Sequence, residues 1–188
     1  MSDRRSTSWR ITDIVVASVL AVAFGVLFWA WGLLWAATGP LFVVFPPAQA
    51  VMYGLWLMPA VVAALIIRKP GAAVYTELVA AVLSALLGSQ WGLTTIVYGL
   101  SQGFAAEIMF MIFGYRVFST PVALLAGASA GVAAASLDRI LFYPEWNTLW
   151  TMSYVSLVAL SAAVMAGWGS KILVARLART GALEGFAV

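Results

Sequence analysis

The sequence predicts an all-α integral membrane protein, a compact bundle of six transmembrane helices with both termini cytoplasmic. Composition, run length and charge placement carry that prediction. Of 188 residues, 64% are hydrophobic and 9% charged, with a mean hydropathy of +1.01, too little charge to solvate the surface of a soluble domain this size. The apolar runs are continuous and about 20 residues long, the length that crosses a bilayer core as a helix, rather than the ~10-residue alternating segments of a membrane barrel. Nine of the ten basic residues (Arg4, Arg5, Arg10, Arg68, Lys69, Arg116, Lys171, Arg176 and Arg179) fall on one side of a six-span layout, and only Arg139 falls near the other. Positive charge concentrates in cytoplasmic loops, so that side is expected inside. The net charge of +3 then reflects topology and not nucleic-acid binding.

The first span is expected over 12–37. Arg4, Arg5 and Arg10 resemble the basic start of a signal peptide, but the apolar run from Ile14 to Ala37 far exceeds a 7–15-residue signal core. Gly39-Pro40 and Pro46-Pro47 bound an apolar outer loop, 38–46, which either lies across the outer mouth as a lid or packs on the bundle. The second span, 47–67, carries Pro59, a potential kink. Lys69-Pro70-Gly71 separates it from the third, 72–88, and Gly88-Ser89-Gln90 from the fourth, 92–114. Ser119-Thr120-Pro121 opens the fifth, 120–143, and Pro144-Glu145 precedes the sixth, 151–174, before a basic helical tail. No internal repeat suggests an inverted-repeat transporter. The chain is expected to form a single transmembrane domain over 1–188, with any ATP hydrolysis supplied by partners.

The chain contains neither cysteine nor histidine, which removes a disulfide framework, His-based acid–base chemistry and His or Cys metal ligation. Gly127-Ala128-Ser129-Ala130-Gly131 matches the serine-hydrolase pattern G-x-S-x-G. That pattern requires a general base, and its positions extend a small-residue row (Ala123, Gly127, Gly131, Ala135) suited to helix packing. No enzyme activity and no bound cofactor are expected.

The hairpin from Lys69 to Glu107 places Glu77, Gln90, Gln102 and Glu107 in or beside apolar spans. A carboxylate near mid-bilayer costs at least about 2.5–3.5 kcal/mol, so it marks a cavity, partner or ligand by default. With a turn near 89–91, Glu77 and Gln102 lie at equal depth. Helical periodicity aligns Glu77, Ala81, Ser84 and Gly88 on one face, and Thr95, Tyr98, Gln102 and Ala105 on the facing one. Gln90 and Trp91 sit at the outer turn, completing a polar slot. The alternative is that Glu77 and Gln102 bond each other across the helices. Glu107, about 140° around the helix from Gln102 at 100° per residue, either contacts ligand or pairs with Arg68, Lys69 or Arg116.

On the first span Ala17, Ala21 and Gly25 form a small-residue row, and Phe24, Phe28, Trp31 and Trp35 an aromatic one. The first suits docking or internal packing, and the second a stacking wall or an interfacial belt. Near the fifth outer end, Asp138 and Arg139 are placed to satisfy either each other or nearby groups. Glu145, Trp146 and Asn147 either close over a ligand or form a solvated loop. Glu77, Glu107, Asp138 and Glu145 outnumber Arg139 in the interior and outer half, which suits a neutral or cationic heteroaromatic held by stacking, cation–π attraction and acceptor oxygens.

The stretch KPGAA…E…LLGSQWG…Y…QG…AE…F…YR, Lys69 to Arg116, with Trp9, Arg10 and Asp13 ahead of it, resembles the YkoE-type substrate-binding components of energy-coupling-factor (ECF) vitamin transporters. The resemblance implies a bacterial cytoplasmic-membrane subunit that captures thiamine or its hydroxymethylpyrimidine moiety from outside. It further implies a transmembrane coupling protein and two cytoplasmic ATPases as partners. Docking would run through Ala17 and Ala21, with Gly25 continuing the row. Glu77, Ser84, Gln90, Trp91, Tyr98 and Gln102 would line the ligand site, Trp35 and Trp146 would cap it, and Glu107 is a further candidate. The competing expectations are a non-transporting membrane scaffold and a small-cation facilitator.

Overall fold

The computed structural model describes residues 7–188, and those residues are helical throughout with no strand. Arg4 and Arg5, two of the nine basic residues in the topology expectation, lie outside them. Helix α1 runs Ile11–Thr38 and continues as a short 3₁₀ turn, Gly39–Phe42. The second rod begins as a 3₁₀-helix, Pro46–Leu57, and becomes α-helix α2 at Met58–Ile67. Then follow α3 (Ala72–Leu86), α4 (Thr94–Ile112), α5 (Thr120–Leu141) and α6 (Thr148–Ala162). A π-helical stretch, Ala163–Gly169, joins α6 to α7 (Ser170–Arg179).

Five of these rods are long and apolar enough to cross a bilayer: Ile11–Phe42, Pro46–Ile67, Thr94–Ile112, Thr120–Leu141 and Thr148–Arg179. The expected third span is different. Helix α3 has 15 residues, about 22 Å at 1.5 Å per residue, short of a ~30 Å hydrocarbon core. Leu87 closes it and Gly88 follows at φ +89°, a left-handed conformation that glycine adopts without strain.

The second rod is the axis of the bundle. Every residue of α2 from Pro59 to Ile67 is buried, and a helix that is apolar all round has no solvent face to present. Its first half winds with three residues per turn, so Pro47, Ala50, Tyr53 and Trp56, three apart, fall on one buried row. Pro59 carries no N–H, and the rod changes winding just before it.

Helix α1 packs on α3 through its small-residue row. Ala17 and Ala21 are fully buried, and a Cβ on Gly25 would stand 2.8 Å from Leu83 Cβ and 2.9 Å from the Ala80 carbonyl. The docking role expected for Ala17, Ala21 and Gly25 is therefore corrected: these residues are spent on packing within the chain. The face of α1 left exposed carries Val15, Val19, Val22, Val26 and Leu33, branched side chains suited to lipid. The G-x-S-x-G segment likewise packs helices. A Cβ on Gly127 would meet the Ala162 carbonyl at 2.4 Å, and one on Gly131 would meet Ala162 Cβ at 2.9 Å. Ser129 Oγ donates to the Ala105 carbonyl at 2.9 Å.

One end of the bundle gathers cations. Lys69 Nζ and the Arg10 guanidinium bind the buried Asp13 carboxylate at 2.6 and 2.9 Å. The Arg68 guanidinium lies 5.0 Å from the Phe118 ring centroid, and Lys171 Nζ donates to the Phe118 carbonyl. Trp9 Nε1 donates to Pro70 O, tying the start of α1 to the α2–α3 turn.

Because the α1 row is interior, Ala21→Trp is expected to lose stability by about 1–3 kcal/mol or more through overpacking. Thermal unfolding of the purified protein in detergent reads this directly; a variant melting at the wild-type temperature would contradict the packing.

Candidate functional site

Two of the hairpin carboxylates close the ends of other helices. Glu77 is fully buried, and its Oε2 accepts from the Ala60 N–H at 2.9 Å. Ala60 stands in the first turn of α2, where backbone N–H groups have no intrahelical acceptor and the positive end of the helix dipole favours an anion. Glu77 Oε1 has no partner among the described residues. Glu107 does the same for α3 with more bonds. It accepts from the N–H groups of Gly71 at 2.8 Å, Ala73 at 2.9 Å and Val74 at 3.3 Å, and from Tyr115 Oη at 2.7 Å. Burial, and secondarily this bond to Glu107, raises the Tyr115 hydroxyl above its ordinary pKa, so it remains a donor at neutral pH.

Glu77 and Glu107 are thus helix caps contributed from a neighbouring rod, and neither lines the cavity described below. The expected polar slot is corrected at Glu77, and the alternative Glu77–Gln102 bond does not form: equal depth is not contact, and the first turn of α2 takes the carboxylate. Of the basic partners considered for Glu107, Lys69 is engaged by Asp13 instead. Gln90 Nε2 donates to the Gly32 carbonyl at 3.1 Å, fastening the α3–α4 turn to α1. Trp146 stacks on Tyr143 with ring centroids 3.9 Å apart. Gln90 and Trp146 are also absent from the cavity wall. Asn147 Oδ1 caps α6 by accepting from the Trp150 N–H, and Glu145 is exposed. In the 38–46 loop Leu41, Val43 and Val44 are exposed, Phe45 meets Trp150 edge to face, and none of these lines the cavity.

The cavity has a volume of about 310 Å³, at the lower end of small-molecule sites. Its wall is mainly aromatic: Phe28, Trp35, Tyr53, Trp56, Trp91, Tyr98, Phe142, Tyr143 and Tyr154. Ser84, Ser89, Thr95, Gln102 and Asp138 supply polar groups, and no lysine or arginine contributes. Of the residues predicted from sequence, Trp35, Ser84, Trp91, Tyr98 and Gln102 stand on this wall. Of the two faces expected on α3 and α4, Ala81, Ser84, Thr95, Tyr98 and Gln102 stand on the cavity wall, and Glu77, Gly88 and Ala105 do not.

Trp56 organises one side. Its ring lies 5.2 Å from both Trp35 and Trp91, and 5.4 Å from Tyr53, the Trp91 and Tyr53 contacts being edge to face. Its Nε1 donates to the Phe28 carbonyl at 3.3 Å. Tyr53 and Trp56, three apart in the 3₁₀-helix, stand directly in line on one wall.

Asp138, on α5, is the carboxylate that reaches the cavity. Its Oδ1 accepts from Tyr98 Oη at 2.7 Å and its Oδ2 from Tyr154 Oη at 2.8 Å. Of the two expectations for Asp138 and Arg139, the structure takes the second: each is satisfied by nearby groups and not by the other. Adjacent residues of a helix point about 100° apart, and Arg139 Nη1 donates to the Tyr143 carbonyl at 3.0 Å. Asp138, Tyr53, Trp56 and Tyr154 were missed as site residues. The available signals were a carboxylate inside an apolar span and aromatics repeating at three-residue spacing.

A bundle of apolar, membrane-length helices that encloses an aromatic cavity has the architecture of a membrane component that binds a small molecule. Comparison with known proteins agrees. Residues 12–133 match the family model described as the permease component of an ABC-type cobalt transport system. The chain is 35% identical over 184 residues to YkoE of Bacillus subtilis (strain 168), whose name proposes it as an HMP/thiamine permease protein; the match covers 96% of this chain and 90% of YkoE. A crystal structure of an S-component of an ECF transporter superposes with a TM-score of 0.91 at 34% identity, covering 96% of this chain and 91% of that one. The chain belongs to the YkoE-type substrate-binding (S) components of ECF transporters. It is a multi-pass membrane transport component and not an enzyme.

Capping by Glu77 and Glu107 predicts a stability phenotype for their removal. Leaving a buried N–H unpaired costs about 1–3 kcal/mol. Glu77→Ala is expected to lose that much, and Glu107→Ala more, since it strands the Gly71, Ala73 and Val74 donors. Melting curves of the two variants beside Gln90→Ala check the order, with Gln90→Ala expected to change least.

Proposed function

We propose that this protein is the vitamin-capturing subunit of an ATP-driven ECF importer, taking thiamine or its hydroxymethylpyrimidine moiety from outside. The whole chain, 1–188, acts as one substrate-binding domain in the bacterial cytoplasmic membrane. It crosses the lipid bilayer six times with both termini inside, the short α3 completing the count within the bundle. It binds no cofactor. A transmembrane coupling protein and two cytoplasmic ATPase subunits supply the energy, and ATP is consumed there.

The observation that carries this reading is the cavity itself. Flat aromatic faces at Trp35, Trp56 and Trp91 suit a heteroaromatic ring, and Gln102 and Ser84 offer an amide and a hydroxyl to ring nitrogens and amino groups. Gln102 is well placed for this, because its side chain is nearly buried, lines the cavity and makes no hydrogen bond to the described protein residues. The name of the relative YkoE points to the same ligand class. The absence of lysine and arginine from the wall disfavours the phosphorylated vitamin. A cobalt ion, the cargo in the family model's description, is not favoured either. The chain has no histidine or cysteine, and among the described residues no three acidic or other metal-ligating side chains converge.

Calorimetry on the isolated protein in detergent tests the reading. Thiamine or hydroxymethylpyrimidine is expected to bind, with thiamine mono- and diphosphate weaker and cobalt silent. Absence of binding by both unphosphorylated ligands would reject it. Gln102→Ala is expected to weaken binding about tenfold, the equivalent of 1.4 kcal/mol, while melting near the wild-type temperature.

A further inference from the structure

The acidic side chains of the described protein do different work, and Asp138 stands apart. Asp13 is paired with Arg10 and Lys69. Glu107 takes three backbone N–H groups and a tyrosine, and Glu77 takes the first turn of α2. Each of these has a cation or a helix N-terminus as its electrostatic partner. Asp138 has neither. It is 6% exposed, lines the cavity, and is met by neutral tyrosine hydroxyls: those of Tyr98 from α4 and Tyr154 from α6 donate to its two oxygens, and that of Tyr53 from the second rod also faces it.

We propose that Asp138 is the specificity-determining residue of the cavity, reading positive charge on the ligand and selecting a heteroaromatic with a fixed cation over an uncharged ring of the same shape. The inference rests on the cavity being the substrate site. Two hydroxyl donors, one on each oxygen, fix the carboxylate in position from separate helices. They lower the cost of burying it without cancelling its charge. A buried charge without a counter-ion is a liability in an empty site and an attraction for a cation that enters it. The surrounding rings act in the same sense. Tyr53, Tyr143 and Tyr154 on the Asp138 side, and Trp35, Trp56 and Trp91 elsewhere on the wall, offer π faces whose quadrupoles favour a desolvated cation. With no basic side chain on the wall, nothing in the cavity competes with the ligand for the carboxylate.

The chemistry separates the two candidate ligands. Thiamine carries a permanent positive charge on its thiazolium ring, whereas hydroxymethylpyrimidine is uncharged at mildly alkaline pH. Asp138 therefore favours thiamine.

The test uses the purified full-length protein and two probes at mildly alkaline pH: thiamine, and a neutral isostere in which a thiophene replaces the thiazolium. The wild-type protein is expected to bind thiamine at least about tenfold more tightly than the isostere. Asp138→Asn, nearly isosteric and able to accept from one tyrosine, is expected to shrink that ratio to within about threefold by weakening thiamine alone. Similar wild-type affinities for the two probes would overturn the proposal. So would an Asp138→Asn protein that keeps the wild-type ratio, whether both affinities fall together or neither changes. The wild-type comparison needs no variant, so equal affinities overturn the proposal even if Asp138→Asn does not fold. In that case Asp138→Glu, which keeps the charge and is expected to keep the preference for thiamine, is read in its place, and loss of the preference there overturns the proposal. A wild-type protein that binds neither thiamine nor hydroxymethylpyrimidine rejects the substrate-site reading itself, an outcome distinct from equal binding of thiamine and isostere.

Discussion

Backbone N–H groups that have no water to receive them govern where this chain places its carboxylates. The second rod changes from 3₁₀ to α winding at Met58, with Pro59 next, and the first turn of α2 lies wholly within the bundle. In a low-dielectric interior an unpaired amide costs as much as a lost hydrogen bond, and a helix start adds a positive dipole end. Glu77, reaching across from α3, answers both. Glu107 repeats the solution for α3, whose start at Gly71 has no side-chain cap of its own. The buried acids that look most like ligand contacts are therefore the ones that let interrupted helices exist inside the bundle.

That interruption also makes the cavity. In an α-helix over 46–57 each three-residue step would drift about 60° at 100° per residue, carrying Pro47 and Trp56 to opposite sides, whereas a 3₁₀-helix stacks Pro47, Ala50, Tyr53 and Trp56 on one row. The row turns its aromatics toward Trp35, Trp91 and Tyr154. Aromatics from four helical rods and from the turns after α3 and α5 then meet over about 310 Å³. Capping and ligand space are coupled: the carboxylate that supports the α portion of the rod stabilises the junction where the aromatic row ends.

Small residues settle the rest of the packing. Gly25 against Ala80 and Leu83, and Gly127 and Gly131 against Ala162, bring helix backbones together at distances no larger side chain permits. In a bilayer, where lipid is as apolar as leucine, such close approach is a main source of helix association. A row of this kind on α1 is equally compatible with an outside partner, and its use inside the chain removes Ala17 and Ala21 from the exposed surface.

The sequence by itself determined the helical membrane class, the positions of the rods, the family, and the faces of α3 and α4 that carry Ser84, Thr95, Tyr98 and Gln102. Run length, breakers and 3.6-residue periodicity are local properties, written wherever the chain follows regular α geometry. The tertiary structure decided what those rules do not reach. The 3₁₀ winding of 46–57 is not written in an α-helical period, so the single row that joins Pro47, Ala50, Tyr53 and Trp56 appears only in the fold. Which carboxylate meets the cavity depends on which helix start or tyrosine lies across from it. Glu77 and Glu107 went to backbone amides of α2 and α3, and Asp138, adjacent in sequence to an arginine, went to Tyr98 and Tyr154. A residue type reveals that a buried charge needs a partner, and only the fold assigns the partner.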